Sequence, residues 1–391
     1  MKKIVFFDYS GHPFVHDLSK KFSSDKKYQI YHLYNPNQLG PKGNFFINEN
    51  EKIIEVRGRF SRNFYKKLIY EFIYGIKAIY YLNKIKPHIV ITANMPIPSV
   101  FLISLSKKFI NFKLIFWLQD ITSIAAKNIL KRKKNLLWKP ISYLFKYLEF
   151  STLKRSEKII TITEDFNKIL IEQKISENKI HCVPNWAPIK DLNVFSKINN
   201  FSKMNSMTGS FNIMYSGTLG YKHNPDVLIE LATFLKEKKL LNAKVVIISE
   251  GPVVDHIKQK ALKNNLNNIL FLPFQKFEIF PEVLASSDCN IVMLEDDSSE
   301  FCVPSKFLSI LCSKRTPIVY VKDSNLIVKI INEHKCGIHV KNQTELNKAI
   351  LDVYSNKIDS NLLSANARAY AEKYFDIENI YKKFTDIIFN T

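Results

Sequence analysis

Short apolar runs alternate along this chain with segments whose apolar residues recur at helical spacing. Residues 3–9 (KIVFFDY), 28–35 (YQIYHLYN), 88–94 (HIVITAN), 113–120 (KLIFWLQD) and 158–164 (KIITITE) read as strands. Residues 13–24 (PFVHDLSKKFSS) and 64–86 (FYKKLIYEFIYGIKAIYYLNKIK) read as helices between them. Near-continuous apolar strands separated by helices predict parallel sheets covered on both faces. The rhythm breaks at 179–192 (KIHCVPNWAPIKDL), with its two prolines, and at the polar stretch 196–210, the expected linker. It then restarts, with strands at 211–217, 243–251, 269–274, 289–294 and 316–321. Helices are expected at 224–238, 255–265, 276–287 and 305–314, and one or two closing helices within 367–389. Two doubly wound α/β domains in series are the expectation, facing across a cleft between their strand carboxyl ends, where such sheets bind ligands.

A length of 391 residues agrees with two domains of ordinary size. No run of about 18 uncharged apolar residues occurs, so no spanning helix is expected. The start, MKKIVFFDYS, reads as a buried first strand and not as a signal peptide. Five cysteines, an odd number with no C-x-x-C pair, suit reduced thiols. The net charge of +21 is unevenly placed: residues 1–190 hold 33 Lys and Arg against 14 acids, and residues 191–391 hold 24 against 22. That excess suggests an anionic partner for the first half. A bias toward Lys, Asn, Ile and Phe across the whole chain is the competing explanation. Residues 127–158 carry 10 basic residues interleaved with Trp138, Tyr143, Phe145, Tyr147 and Phe150. They read either as a membrane-surface helix or as a solvated helix whose aromatics face the core. No nucleic-acid-binding module is recognisable, so nucleic acid is not an expected partner.

Candidate chemistry gathers at strand ends. Gly11 and His12 follow the first strand, either as a ligand-approaching turn or as an ordinary βα turn. There is no G-x-G-x-x-G, and His12 with His16 makes no zinc pattern. Asp120 ends a strand, where it could orient a hydroxyl or cap the next helix. Gly217, Thr218 and Gly220, with Lys222 just after, suit a phosphate-cradling loop. Gly251 with Pro252, and Phe274 with Gln275, close the next two strands. The acids of LEDDSSEFCVPSKF (294–307) lack an accompanying His, so a metal cage is disfavoured. Glu300 to Lys306 is expected to open a helix whose amino end suits an anion.

In their order, these motifs resemble the family 4 retaining glycosyltransferases of the GT-B fold, especially the bacterial exopolysaccharide and O-antigen enzymes of the colanic-acid and L-fucosamine-transferase type. FDYSGHPFVHDLSKKF, WLQDI, SEKIITITEDFNKIL, KIHCVPNW, MYSGTLG, SEGP and VPSKFLSILCSKRTPIVY carry the likeness over nearly the whole chain. The resemblance implies an acceptor-binding domain over 1–187, completed by 375–391, and a nucleotide-sugar-binding domain over 188–374. It implies a donor, expected to be a UDP-sugar, and a lipid-linked saccharide acceptor at the cytoplasmic face of the inner membrane. The donor is a co-substrate, and neither metal nor cofactor is expected. Gly217, Thr218, Gly220 and Lys222 would face the diphosphate, with Val303, Pro304, Ser305 and Lys306 beside it. Gly251 and Pro252 would line the nucleotide, and Phe274 and Gln275 the base. Asp120 and Glu300 would attend the reacting sugars, and Gly11 and His12 the phosphates or the acceptor. Three departures stand out. The usual glutamate pair falls near Glu300 or Phe301 and at Ser309, Lys222 stands in for the usual Arg, and residues 312–317 (CSKRTP) replace a glycine turn. A non-catalytic scaffold or a nucleotide-sugar epimerase of the same fold are the alternative readings.

Overall fold

A computed structural model describes residues 1–38, 48–59, 61, 63–132, 137–220, 223–295 and 302–389. The chain divides into two compact units, residues 1–185 with 377–391, and residues 186–376.

In the first unit the strands are β1 (Lys2–Asp8), β2 (Tyr28–Tyr34), β3 (Glu51–Glu55), β4 (Ile89–Ala93), β5 (Lys113–Leu118), β6 (Lys158–Thr161) and β7 (Ile180–Cys182). They form one parallel sheet in the order β3-β2-β1-β4-β5-β6-β7. The helices are α1 (Pro13–Ser24), α2 (Phe64–Ile85), α3 (Ile97–Ser106), α4 (Thr122–Arg132), α5 (Trp138–Arg155) and α6 (Glu164–Glu172). The last helix of the chain returns to this unit. Phe384 stacks edge-on against the fully buried Trp117 at 4.9 Å, and the Tyr381 hydroxyl donates to Asp25 at 3.0 Å.

The second unit begins with α7 (Asn200–Met204) and the strands β8 (Phe211–Ser216), β9 (Ala243–Ile248), β10 (Ile269–Leu272), β11 (Cys289–Met293), β12 (Thr316–Tyr320) and β13 (Ile338–Val340). Their parallel order is β10-β9-β8-β11-β12-β13. The helices α8 (Asp226–Glu237), α9 (Pro252–Lys263), α10 (Phe280–Ala285), α11 (Ser305–Cys312), α12 (Leu326–His334), α13 (Gln343–Tyr354) and α14 (Ser360–Tyr374) alternate with them. The chain's final helix is α15 (Ile377–Phe389). The central strands are apolar on both faces, as burial between two helix layers demands.

Three local expectations need correction. The stretch read as a break and linker is largely structured. Ile180–Cys182 pairs with β6, Val183 and Trp186 are buried, and Asn199 and Ser202 form a reciprocal capping box on α7. Phe201 and Met207 dock that polar segment into a core cluster with Met214 and Val246. Helix α11 opens at Ser305, not at Glu300. Proline restricts the residue before it to extended backbone, so Val303 cannot be helical without strain, and Pro304 itself is extended at the cap. Finally, β3 is an unanticipated edge strand, EKIIE, whose two glutamates hide its period.

The first residue of β3 is buried. Glu51 Oε1 and His32 Nδ1 each lie 2.9 Å from Ser19 Oγ, and His16 Nε2 is 3.7 Å from Glu51 Oε1. Burial pushes the Glu51 carboxyl up to about 7 and the His16 imidazole down to about 3. Because Glu51's folded pKa lies above its unfolded one, the fold binds an extra proton between the two. That contribution is fully present below the unfolded pKa and is lost as pH rises through about 7. The neutral His16 acts oppositely, but only below its ordinary pKa. Thermal melts should therefore show stability falling from pH 6 to pH 8 (both values about one unit either side of Glu51's pKa), and Glu51→Gln should flatten that slope. An unchanged slope in the variant would contradict the assignment.

Candidate functional site

Each parallel sheet reverses its winding once, between β1 and β4 in the first unit and between β8 and β11 in the second. At such a point the connections leave toward opposite faces, and a crevice opens at the carboxyl edge. The predicted residues lie along these edges.

In the second unit, Gly217 and Gly220 follow β8, Gly251 follows β9, Phe274 and Gln275 follow β10, and Val303 to Lys306 follow β11. Four neighbouring strands thus present their carboxyl ends side by side. Gly217 has φ +117° and Gly251 φ +115°, conformations that side chains rarely tolerate. Gly251 caps α9 and Pro252 takes the first helical position, where its missing N–H costs nothing. The Phe274 N–H donates to Glu250 Oε2 at 3.0 Å, tying the β10 exit to the β9 exit. A pocket of about 220 Å³ opens there, lined by Gly251, Val254, Lys258, Phe271 and Pro273 among others.

Lys306 lies in the first turn of α11 and reaches across the reversal point. Its Nζ donates to the Tyr215 hydroxyl and lies 3.4 Å from the Thr218 carbonyl oxygen. A Cβ on Gly217 would come within 3.5 Å of Lys306 Cε. Tyr215 is fully buried, and burial pushes its phenol well up, so it keeps its proton and donates to Thr218 O at 2.8 Å. His223 Nδ1 accepts from the Gly220 N–H at 2.9 Å, and Ser249 Oγ accepts from the Leu219 N–H at 3.2 Å. The glycine loop is therefore fixed by three side chains, Tyr215, His223 and Ser249, while Thr218 stays exposed. A fixed loop, a helix amino end and an ammonium group meet in one place, an arrangement suited to a phosphorylated ligand. Lys222 and Glu300 lie outside the described residues. Ser305 is exposed, Pro304 is buried and Val303 is half-buried.

In the first unit, Gly11 (φ +72°) and His12 follow β1. Asp8, fully buried, accepts from the Ser10 N–H at 3.2 Å and from the His12 N–H, and lies 3.3 Å from His12 Nδ1. Asn94, at the end of β4, reaches His12 Nδ1 at 3.2 Å, so this ring sits at the first sheet's reversal point. Asp120 follows β5, two strands from β1, or about 10 Å along the sheet edge. Among the described residues it makes no side-chain cap on α4. Instead, Glu149 from α5 accepts from the Thr122 and Ser123 N–H groups at 2.9 and 3.1 Å, capping α4 in its place. Full burial pushes Glu149 up to about 7 against the pull of those hydrogen bonds. Gln119 exchanges hydrogen bonds with Asn185 across the same edge.

The sequence reading missed Tyr215, His223, Asn94 and Glu149. Tyr215 sits inside an apolar run and resembles core, and Glu149 lies in a basic helix far from its target. His223 was within reach, standing three residues after Gly220.

Residues 196–370 match the family of glycosyl transferases group 1. Over those residues the chain is similar to a group 1 glycosyl transferase domain. This span contains the glycine loop, the β9 and β10 exits and Lys306. The chain is 24% identical over 251 residues to WcaI of Escherichia coli (strain K12), which bears the name of a colanic acid biosynthesis glycosyl transferase. That match spans 63% of this chain and 61% of the relative's length. Among solved structures, sucrose-phosphate synthase from Thermosynechococcus elongatus is similar with a TM-score of 0.77 at 13% identity, over 99% of this chain and 98% of that one. HepE from Anabaena, solved in complex with UDP and glucose, is similar with a TM-score of 0.74 at 12% identity over 100% of both chains. At these identities the likeness shows the fold, which is GT-B.

Replacing His223 with Ala leaves the Gly220 N–H without its acceptor. The loss of one largely buried hydrogen bond is expected to cost about 1–3 kcal/mol, at about 2–4 °C of melting temperature per kcal/mol. His256→Ala, at an exposed position of α9, serves as the control and should melt like the parent. Equal melting of the two variants would contradict the role given to His223.

Proposed function

We propose that the protein is a glycosyltransferase that moves a sugar from a nucleotide sugar, with a UDP-sugar as donor, to a lipid-linked saccharide. The reaction retains anomeric configuration, needs no metal and serves bacterial surface polysaccharide assembly at the cytoplasmic face of the inner membrane. The observation that carries this reading is Lys306 reaching the glycine loop at the strand-order reversal of a group 1 glycosyl transferase domain. The name of WcaI and the UDP and glucose bound to HepE support the substrate class.

On this reading the second unit holds the donor. Gly217, Thr218 and Gly220 face the diphosphate, the glycines letting it approach the backbone, and Lys306 and Lys222 add charge. Gly251 and Pro252 line the nucleotide, with Phe274 and Gln275 near the base. Negative charge grows on the departing nucleoside diphosphate, and fixed amides and lysines stabilise it there more than in the ground state. They fill the part a divalent ion would otherwise take. Same-face attack lets the leaving phosphate take the acceptor's proton, so Asp120 orients the sugars and need not act as a base. Gly11 and His12 meet the acceptor or the phosphates. One observation favours a non-catalytic scaffold instead: half-buried Ser309 stands in α11 where the family's second glutamate would be.

A thermal-shift screen over nucleotide sugars tests the proposal, with Lys306→Ala and Asp296→Ala as the paired variants. Loss of one charge-assisted hydrogen bond is about 1.5–3 kcal/mol, so Lys306→Ala should weaken donor binding by about tenfold or more. Asp296→Ala should leave it near the parent value. Stabilisation by neither UDP nor GDP compounds would favour the scaffold.

A further inference from the structure

The face of the first unit that carries α2 and α5 shows a surface of which the sequence pattern marked only the α5 part, within residues 127–158. Helix α2 has apolar residues nearly all round. It buries Glu71, Tyr74, Gly75, Ala78, Leu82 and Ile85. Six of its other apolar residues face solvent: Tyr65, Ile69, Phe72, Ile73, Ile76 and Tyr80, between 44% and 64% exposed. At 3.6 residues per turn these six fall within an arc of about 100°. Lys66, Lys77 and Lys84 fall together along one edge of that arc, about 20–40° beyond it. Helix α5 repeats the theme on the same side of the sheet, where α3 touches both helices and the rings of Phe64 and Phe145 lie 6.2 Å apart. Tyr143 and Tyr147 are 74% and 62% exposed, with Lys139 and Lys146 beside them.

The acids decide the occupant. Each helix contains a single acid, Glu71 in α2 and Glu149 in α5, and both are buried. Every exposed charge on the two helices is therefore positive. Burying this face against a second copy of the chain would set lysines against lysines. An anionic lipid surface satisfies both parts at once. Aromatic and aliphatic side chains enter the acyl boundary while the lysines meet headgroups. Among the described residues, no helix is long and apolar enough to cross a membrane.

We propose that the outward face of α2, assisted by that of α5, docks the protein in the plane of an anionic membrane, with Phe72 and Ile76 at the centre of the inserted stripe. This deepens the lipid-linked acceptor reading, yet it rests on the surface alone, and its test does not use transfer activity. The test is flotation of the purified full chain with vesicles of phosphatidylcholine alone or with phosphatidylglycerol added, alongside sedimentation velocity without vesicles. The parent should float with the anionic vesicles and much less with the neutral ones. Phe72→Ser with Ile76→Ser, both at exposed positions, should fold normally and lower the partition constant by about tenfold or more. Lys66→Glu with Lys84→Glu should lower it by a similar factor, and added salt should weaken the parent's binding. Three results would overturn the proposal. The parent could fail to bind anionic vesicles, the Phe72/Ile76 variant could bind like the parent, or the parent could be a dimer that this variant splits while vesicle binding stays unchanged.

Discussion

Where a parallel sheet reverses its winding, two neighbouring strands send their connections to opposite faces, and the carboxyl edge between them is left uncovered. Both units are built around such a reversal, and the candidate chemistry follows from it. In the second unit the uncovered edge is bounded by the loop after β8 and by the start of α11. Lys306 and Tyr215 join the two sides. A flexible glycine loop would lose much of its value for holding phosphate, because ordering it on binding costs free energy. Here the buried phenol of Tyr215, the His223 ring and Ser249 order it in advance. In the first unit the same position holds His12, oriented by the buried Asp8 and by Asn94.

Much of this architecture was legible in the sequence, because a strand buried on both faces must be apolar throughout. KIVFFDY, KLIFWL and AKVVII can be little else. The elements missed were those whose stability comes from elsewhere. EKIIE pairs at a sheet edge and spends a glutamate on a buried contact with Ser19. IHC is three residues long and gains its place by pairing with β6. Helix α11 opens later than the acids before it suggest, because Pro304 holds Val303 in extended backbone. In the site, glycines and prolines at strand ends announced themselves. Residues that act at a distance did not, since nothing in the local pattern of Tyr215 or Glu149 shows which backbone they will meet.

The same distinction explains α2. Its period marks a helix, but periodicity alone cannot say which apolar residues are buried. Small residues, Gly75 and Ala78, lie on the packed side with Tyr74 and Leu82, while bulky ones remain outside. The positive excess of the first half, ambiguous as composition, becomes a placed feature once Glu71 and Glu149 are seen to be withdrawn from the surface. On α2 and α5 the acids thus serve internal capping and ion pairing, and lysines are shown to the surroundings.

The central claim is that the second unit's reversal point holds the phosphate remote from the nucleoside. Calorimetric titration of the parent and of Tyr215→Phe with UDP and UMP tests it most directly, because the two nucleotides differ only in that phosphate. The account predicts that the parent binds UDP more tightly than UMP by about tenfold or more, the worth of a charge-assisted contact, and that Tyr215→Phe narrows the ratio. Equal affinities of the parent for UDP and UMP would contradict it.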